Sequence, residues 1–109
     1  MKFKLAVENV VLIAIKLSLK EGSVNKLFSF TLTGNRKTPE EMEEQPEQTI
    51  KDFLIENITD WSGQRLVLLE SNEPAPFSPQ AFEYMLKQAG VLDIVWQRYK
   101  FECGAKEKN

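Results

Sequence analysis

With 109 residues, 42% of them hydrophobic and 28% charged, the chain has the size and composition of one globular domain. It carries 14 basic and 16 acidic side chains, no histidine and a single cysteine. These counts exclude an internal disulfide, remove the commonest general base and metal ligand, and argue against a nucleic-acid binder, which gathers its Lys and Arg on one face.

The charge is uneven: residues 1–37 hold seven basic and two acidic side chains, residues 38–83 two and eleven, residues 84–109 five and three. The early lysines, Lys2, Lys4, Lys16, Lys20 and Lys26, are spread along strand-like sequence and read as solvated edges. Met1-Lys2-Phe3-Lys4 ahead of an apolar run invites a secretory-leader reading, but Glu8 and Asn9 interrupt it and Lys16 precedes any small-residue cleavage site. The uninterrupted apolar run Val10–Ile15 is six residues, far short of the roughly 20 that a spanning helix needs. The expectation is a soluble, untargeted chain with no membrane partner, and the lone Cys103 suits a reducing compartment.

Phe3, Leu5, Val7, Val11, Ile13, Ile15, Leu17 and Leu19 all fall on odd positions, the period-two signature of a strand with one apolar face. Lys20-Glu21-Gly22-Ser23 reads as a tight turn, after which Val24, Phe28, Phe30 and Leu32 continue on even positions. Pairing about Glu21-Gly22 sets Leu19 opposite Val24, Ile15 opposite Phe28, Ile13 opposite Phe30 and Val11 opposite Leu32, all on one face. An antiparallel hairpin over about residues 1–34 follows. Val10, Leu12, Ala14 and Leu27 make part of its other face apolar as well. Phe3, Leu5 and Val7 overhang the end of the second strand and require a partner. That partner is either the Leu66–Leu69 segment, the more economical choice because monomers cover their strand edges, or a strand of a second chain.

Thr38-Pro39-Glu40-Glu41 is a capping box with proline at the first helical position, opening a helical stretch predicted over 38–61. Five glutamates lie between Glu40 and Glu47; they suit a solvated, N-terminally acidic helix that Pro46 should end. A second helix is predicted from about Glu47 to Ile58, with Ile50, Phe53, Leu54 and Ile58 on its buried face. Asp60-Trp61-Ser62-Gly63 reads as a turn, residues 64–70 as a possible third strand, and Ser71-Asn72-Glu73 as another turn. Ser78 as N-cap and Pro79 at the first helical position start a two-helix C-terminal part, residues 78–103. Its first helix carries Phe82, Met85, Leu86 and Ala89 inward and ends at Gly90. The second, from about Val91 to Cys103, turns Leu92, Val95, Trp96 and Tyr99 inward, and the polar tail Lys106–Asn109 frays. The fold class is therefore α+β: an N-terminal antiparallel hairpin, with room for a third short strand, followed by about four helices.

Catalytic chemistry is poorly provided for. Cys103 has no histidine to activate it, the glycines are scattered singly, and Glu40–Glu47 lacks the alternating oxygen ligands and turn glycine of a calcium loop. No enzyme activity, cofactor or metal is expected. Trp61 and Phe77, both in turn-rich sequence, read as plugs between elements; Pro74 and Pro76 hold extended backbone ahead of Phe77.

The order of the last two-thirds, an apolar helix ending in Asp60-Trp61-Ser62-Gly63, a polar turn, Pro76-Phe77-Ser78 opening a helix, and a last helix through Tyr99 to a lysine-rich stop, resembles the tail assembly chaperones of long-tailed, siphovirus-like bacteriophages. The match covers about Ile50–Asn109, and the first forty-nine residues agree in outline. Trp61, Gly63, Pro76, Phe77 and Ser78 carry it, whereas Pro74 and Pro79 are features of this chain's own, Pro79 joining the same structural motif as the helix start. The resemblance implies a non-catalytic protein of the infected bacterium's cytoplasm that coats the tape measure protein, helps recruit tail tube subunits and is absent from the finished particle. A binder of that kind needs exposed apolar surface rimmed by charge. The candidates by pattern are Phe3, Leu5, Val7, Val10, Leu12 and Leu27, with self-association through the N-terminal strand as a further use of the same stretch. The competing expectation is a tail terminator or head–tail connector retained in the virion.

Overall fold

A computed structural model describes residues 2–43 and 49–106. A three-stranded antiparallel sheet lies on one side of the core, with strands β1 (Val10–Glu21), β2 (Val24–Asn35) and β3 (Ile58–Ser62) in spatial order β1-β2-β3. The helices are α1 (Pro39–Glu43), α2 (Ile50–Asn57), α3 (Pro79–Leu86) and α4 (Val91–Cys103). The α+β class expected from the sequence is the class observed.

The alternation in the first strand does what it predicts. Val11, Ile13, Ile15 and Leu17 are buried while Val10, Leu12, Ala14, Lys16 and Ser18 are exposed. Register is where expectation and structure part. Ile13 faces Leu32, Ile15 faces Phe30, Leu17 faces Phe28 and Leu19 faces Lys26, two residues away from the expected pairing. The loop is the two residues Gly22-Ser23, flanked by the pair Glu21↔Val24, and Gly22 takes φ +64° at the first loop position, where glycine is favoured. A shift of two keeps every side chain on its face, so the apolar pattern alone could not reveal it. Near the tip the inner face runs past the core, and Val24, expected among the inward residues, is 63% exposed.

Two other expectations are corrected. The first strand begins at Val10, not Phe3, and among the described residues Phe3, Leu5 and Val7 have no strand partner, the Leu66–Leu69 segment included. The third strand is Ile58–Ser62 rather than residues 64–70, which make only the isolated bridge Leu68↔Pro74. Consequently α2 stops at Asn57, the helical stretch does not reach 61, and Asp60-Trp61-Ser62 is strand, with only Gly63 left as a bend. The physical reason is a register irregularity at Thr33/Gly34, which leaves Ile58 and Trp61 both buried at a spacing of three. That spacing imitates a helix. Pro46 and the start expected for α2 near Glu47 fall outside the described residues, as do Glu107–Asn109.

The helix starts expected at Thr38 and Ser78 hold. Thr38 and Glu41 exchange the two reciprocal bonds of a capping box at 3.0 and 3.1 Å. Ser78 Oγ accepts from the Ala81 N–H at 3.0 Å, with Pro79 at the first turn of α3. Asp52 N–H donates to Thr49 Oγ1 at 3.1 Å, capping α2. Gly90 is not the end of α3, whose C-cap is Lys87; it is the N-cap of α4, and Ala89 is exposed between the two.

The core fills the space between the sheet and the helices. Ile13, Ile15, Leu32, Leu54, Phe82, Val95 and Tyr99 are wholly enclosed, each contributing about 1.5–3 kcal/mol of burial as an upper bound. Val91, Val95 and Tyr99 form the inward stripe of α4, whereas Leu92 and Trp96 are half-buried and Ile50, expected inward, is exposed. Phe53 of α2 meets the edges of Trp96 and Tyr99 at 5.8 and 5.9 Å, and the Tyr99 hydroxyl donates to the Asn35 carbonyl at 2.7 Å. β3 pairs only with Thr31–Gly34, so the distal part of the hairpin is a two-stranded ribbon. Strands of twelve residues, about 40 Å long, make the molecule elongated, with extents of 57 × 37 × 23 Å.

Candidate interaction surface

The residues that carried the resemblance are structural. Trp61 is buried, and its indole N–H donates to the Ala75 carbonyl at 3.1 Å. The half-buried Phe77 packs edge-on to Trp61 at 5.3 Å and lies 6.3 Å from Phe82. Between them sits a residue that no sequence pattern singles out. Gln64 is 2% exposed, and its amide nitrogen donates to the carbonyls of Val67 and Ala75 at 2.9 and 3.1 Å. Its amide oxygen accepts from the N–H groups of Leu66 and Val67 at 3.1 and 2.9 Å. A side-chain amide thus replaces the strand that residues 64–70 do not form, satisfying backbone that would otherwise be buried unpaired. Asp60, Trp61, Arg65, Pro74, Pro76 and Phe77 border a shallow depression of about 540 Å³ beside it.

The candidate contact residues occupy different places. Val10 and Leu12 lie on the outer face of the sheet, 48% and 61% exposed, continuous with Ala14 along β1. Leu27 shares that face and is 84% exposed, but it stands opposite Ser18, about 20 Å along the strands from Leu12 at 3.3 Å per residue. Its surroundings, Lys16, Leu17, Ser18, Phe28 and Ser29, form a concavity of about 400 Å³ near the hairpin tip. Phe3, Leu5 and Val7 are 88%, 75% and 61% exposed on the segment leading into β1, which bends at Ala6–Val7 and again at Asn9. The structure therefore groups Val10 with Leu12, sets Leu27 apart, and leaves Phe3, Leu5 and Val7 unpacked. No helix or loop among the described residues covers any of them.

Backbone geometry adds a feature that no one-dimensional pattern displays. The pair Glu21↔Val24 flanks the two-residue loop, and Arg36 N–H donates to the Asn9 carbonyl at 3.0 Å, one step beyond the last strand pair. Odd residues of β1 therefore bond to β2, and even residues point their N–H and C=O groups at an open edge. One of these groups is engaged: the Ala14 carbonyl accepts from Arg98 Nε of α4 at 3.3 Å. Ala14, Lys16, Ile94 and Arg98 line a concavity of about 420 Å³ along this edge. It holds two cationic side chains, Lys16 and Arg98, and two aliphatic ones, Ala14 and Ile94.

Elsewhere the polar groups serve the fold. Arg36 Nη1 donates to the Cys103 carbonyl at 3.2 Å, placing a cation at the C-terminal end of α4, where the helix dipole favours it. Burial, and after it the neighbouring Cys103 and Glu41, pushes the Tyr99 phenol well above its ordinary range. The backbone bond from Thr38 holds the Glu41 carboxyl below the usual carboxylate range, and Lys26, 2.7 Å away, does the same for Glu21. Among the described residues no three His, Cys, Asp or Glu side chains are placed to hold a metal ion, and no helix is long and apolar enough to cross a membrane. No protein-family model, curated protein or solved structure matches the chain.

Proposed function

We propose that the protein is a tail assembly chaperone of a siphovirus-like phage or prophage. It works in the host bacterial cytoplasm by binding apolar stretches of the tape measure protein until tail tube subunits replace it, without catalysis and without cofactor, nucleic acid or membrane. One observation carries this reading: a fully formed sheet presents Val10, Leu12 and Leu27 to solvent on a face that nothing in the described chain covers. Exposed apolar side chains of this size on a small domain mark a contact surface. Their separation into two groups about 20 Å apart suits an elongated partner better than a compact one, because each group alone is too small to hold a globular interface. Lys16 and Lys20 on the same face supply the charged rim.

A virion protein held in a ring by strand addition is the second reading, favoured by the open β1 edge. The two differ in fate. Mass spectrometry of purified particles should find the chaperone absent or at trace level, whereas a fixed copy number per particle overturns the chaperone in favour of a tail terminator or connector.

A further inference from the structure

We infer that the β1 edge is a self-complementary interface, through which two copies of this chain pair antiparallel about a twofold axis at Leu12. The inference does not rest on the chaperone reading. The even residues of β1 turn their backbone groups outward, and side-chain chemistry decides which register of a second β1 they accept. With Leu12 opposite its own counterpart, Val10 falls opposite Ala14 and Glu8 opposite Lys16, each pair occurring twice by symmetry. Apolar side chains meet apolar ones, and opposite charges meet. Moving the axis to Val10 sets Lys16 against Lys4 and Leu12 against Glu8; moving it to Ala14 sets Leu12 against Lys16. These two registers juxtapose like charges or waste the apolar pairs, and an axis at Ile13 sets Val10 against Lys16. An axis at Val11 keeps Val10 opposite Leu12 but leaves Glu8 against Ala14 and Lys16 against Ala6. Only the axis at Leu12 both pairs apolar groups and joins opposite charges.

The site is shaped for this occupant. The incoming Glu8 arrives at the concavity that holds Lys16 and Arg98, with Ile94 beside them for the aliphatic part of the neighbouring chain. Among the described residues neither Glu8 nor Lys16 has an ion-pair partner within its own chain, while Arg98 has only Glu102 at 3.7 Å. The Ala14 carbonyl, held by Arg98 in the single chain, becomes the acceptor for the partner's Val10 N–H. The same register disposes of the overhang. Straightened at Ala6–Val7 and Asn9, the leading segment carries Val7 to a position opposite Leu17 of the second copy, and Leu5 opposite Leu19, beside the exposed Val24 and half-buried Phe28 of the hairpin tip. Lys4 then faces Lys20, so firm pairing runs from Glu8 to Lys16 and loosens beyond. The outer face stays open, which doubles the Val10–Leu12 stripe across the axis.

The test is pulsed electron resonance on the full chain carrying Cys103→Ser and Ser18→Cys with a nitroxide, together with sedimentation equilibrium. Ser18 lies six residues from the axis, so the two labels should stand about 40 Å apart, whereas an axis at Ala14 gives about 27 Å. Sedimentation should show a dimer that Glu8→Lys and Lys16→Glu each weaken by roughly tenfold, and that the double exchange restores. Circular dichroism of each single variant checks that the exposed substitution leaves the monomer folded. A monomer at every concentration up to the solubility limit, an open-ended assembly, a label distance near 27 Å, or failure of the double exchange to restore pairing each overturns the inference.

Discussion

Replacing Gln64 with alanine should be one of the most damaging single changes in the chain, although the residue sits in irregular sequence just past the end of β3. The magnitude follows from which groups are left alone. The carbonyls of Val67 and Ala75 keep a second donor each, the Ala75 N–H at 3.0 Å and the Trp61 indole at 3.1 Å. Among the described residues, the Leu66 and Val67 N–H groups have no acceptor but the Gln64 oxygen. An orphaned buried donor costs about 1–3 kcal/mol, and water can reach the half-buried Leu66 more easily than Val67, so the sum is about 2–4 kcal/mol. Urea unfolding followed by tryptophan fluorescence measures it directly, and the midpoint of thermal unfolding should fall by about 10–20 °C. Gln64→Glu should give no rescue, since a carboxylate accepts from both N–H groups but faces two carbonyls it cannot donate to. A loss below about 0.5 kcal/mol, typical of a surface change, would refute the reasoning and show that water takes over the amide's role.

Gly34→Ala should destabilise the fold by about 1–3 kcal/mol, because a Cβ there comes within 2.9 Å of Ile58 Cδ1 and 3.2 Å of the Asn57 carbonyl; chemical denaturation checks it, and a neutral result would mean that β3 shifts freely at the irregularity. Phe77→Ala should cost about 2–3 kcal/mol, less than a wholly buried phenylalanine, because Phe77 keeps one side in solvent. A negligible loss of stability accompanied by lost partner binding would move Phe77 from the core to the contact surface. Tyr99 has a raised folded-state pKa, so its contribution is fully present below the unfolded tyrosine value of about 10 and is lost as pH climbs above it. In a Tyr84→Phe background, absorbance at 295 nm should therefore show Tyr99 ionising only together with loss of near-ultraviolet circular dichroism. Ionisation within an intact fold would contradict the enclosure assigned to it.

Much of this architecture is written in periodicity. The odd-position run of β1 and the i, i+3, i+4 spacing of Phe82, Met85 and Leu86 each fix which side of an element is buried. Thr38, Ser78 and Pro79 announce helix starts through side-chain chemistry that acts locally. What fails is whatever depends on a partner distant in sequence. β3 is illegible because it carries one extra residue, Thr59, where it pairs with Thr33 and Gly34 of β2, and Ile58 and Trp61 then mimic a helical stripe. The hairpin register is illegible because every shift by two leaves the faces unchanged. Gln64 looks like any polar loop residue; only the folded chain reveals four backbone groups around its amide. For the contact surface, exposure of Val10, Leu12 and Leu27 could be read from alternation, but their division into two groups, and the open edge beside Ala14, required the strand pairing.

Titration calorimetry of the purified protein against the tape measure protein that it is proposed to bind tests the proposed role most directly. The wild-type chain should bind with a negative heat-capacity change, the mark of apolar burial. Leu27→Asp, which lies off the β1 edge and leaves strand pairing untouched, should weaken binding by about tenfold or more while the unfolding midpoint stays unchanged. Equal affinity for the wild type and Leu27→Asp, or no binding by either, would contradict the assignment of the outer sheet face as the chaperone surface.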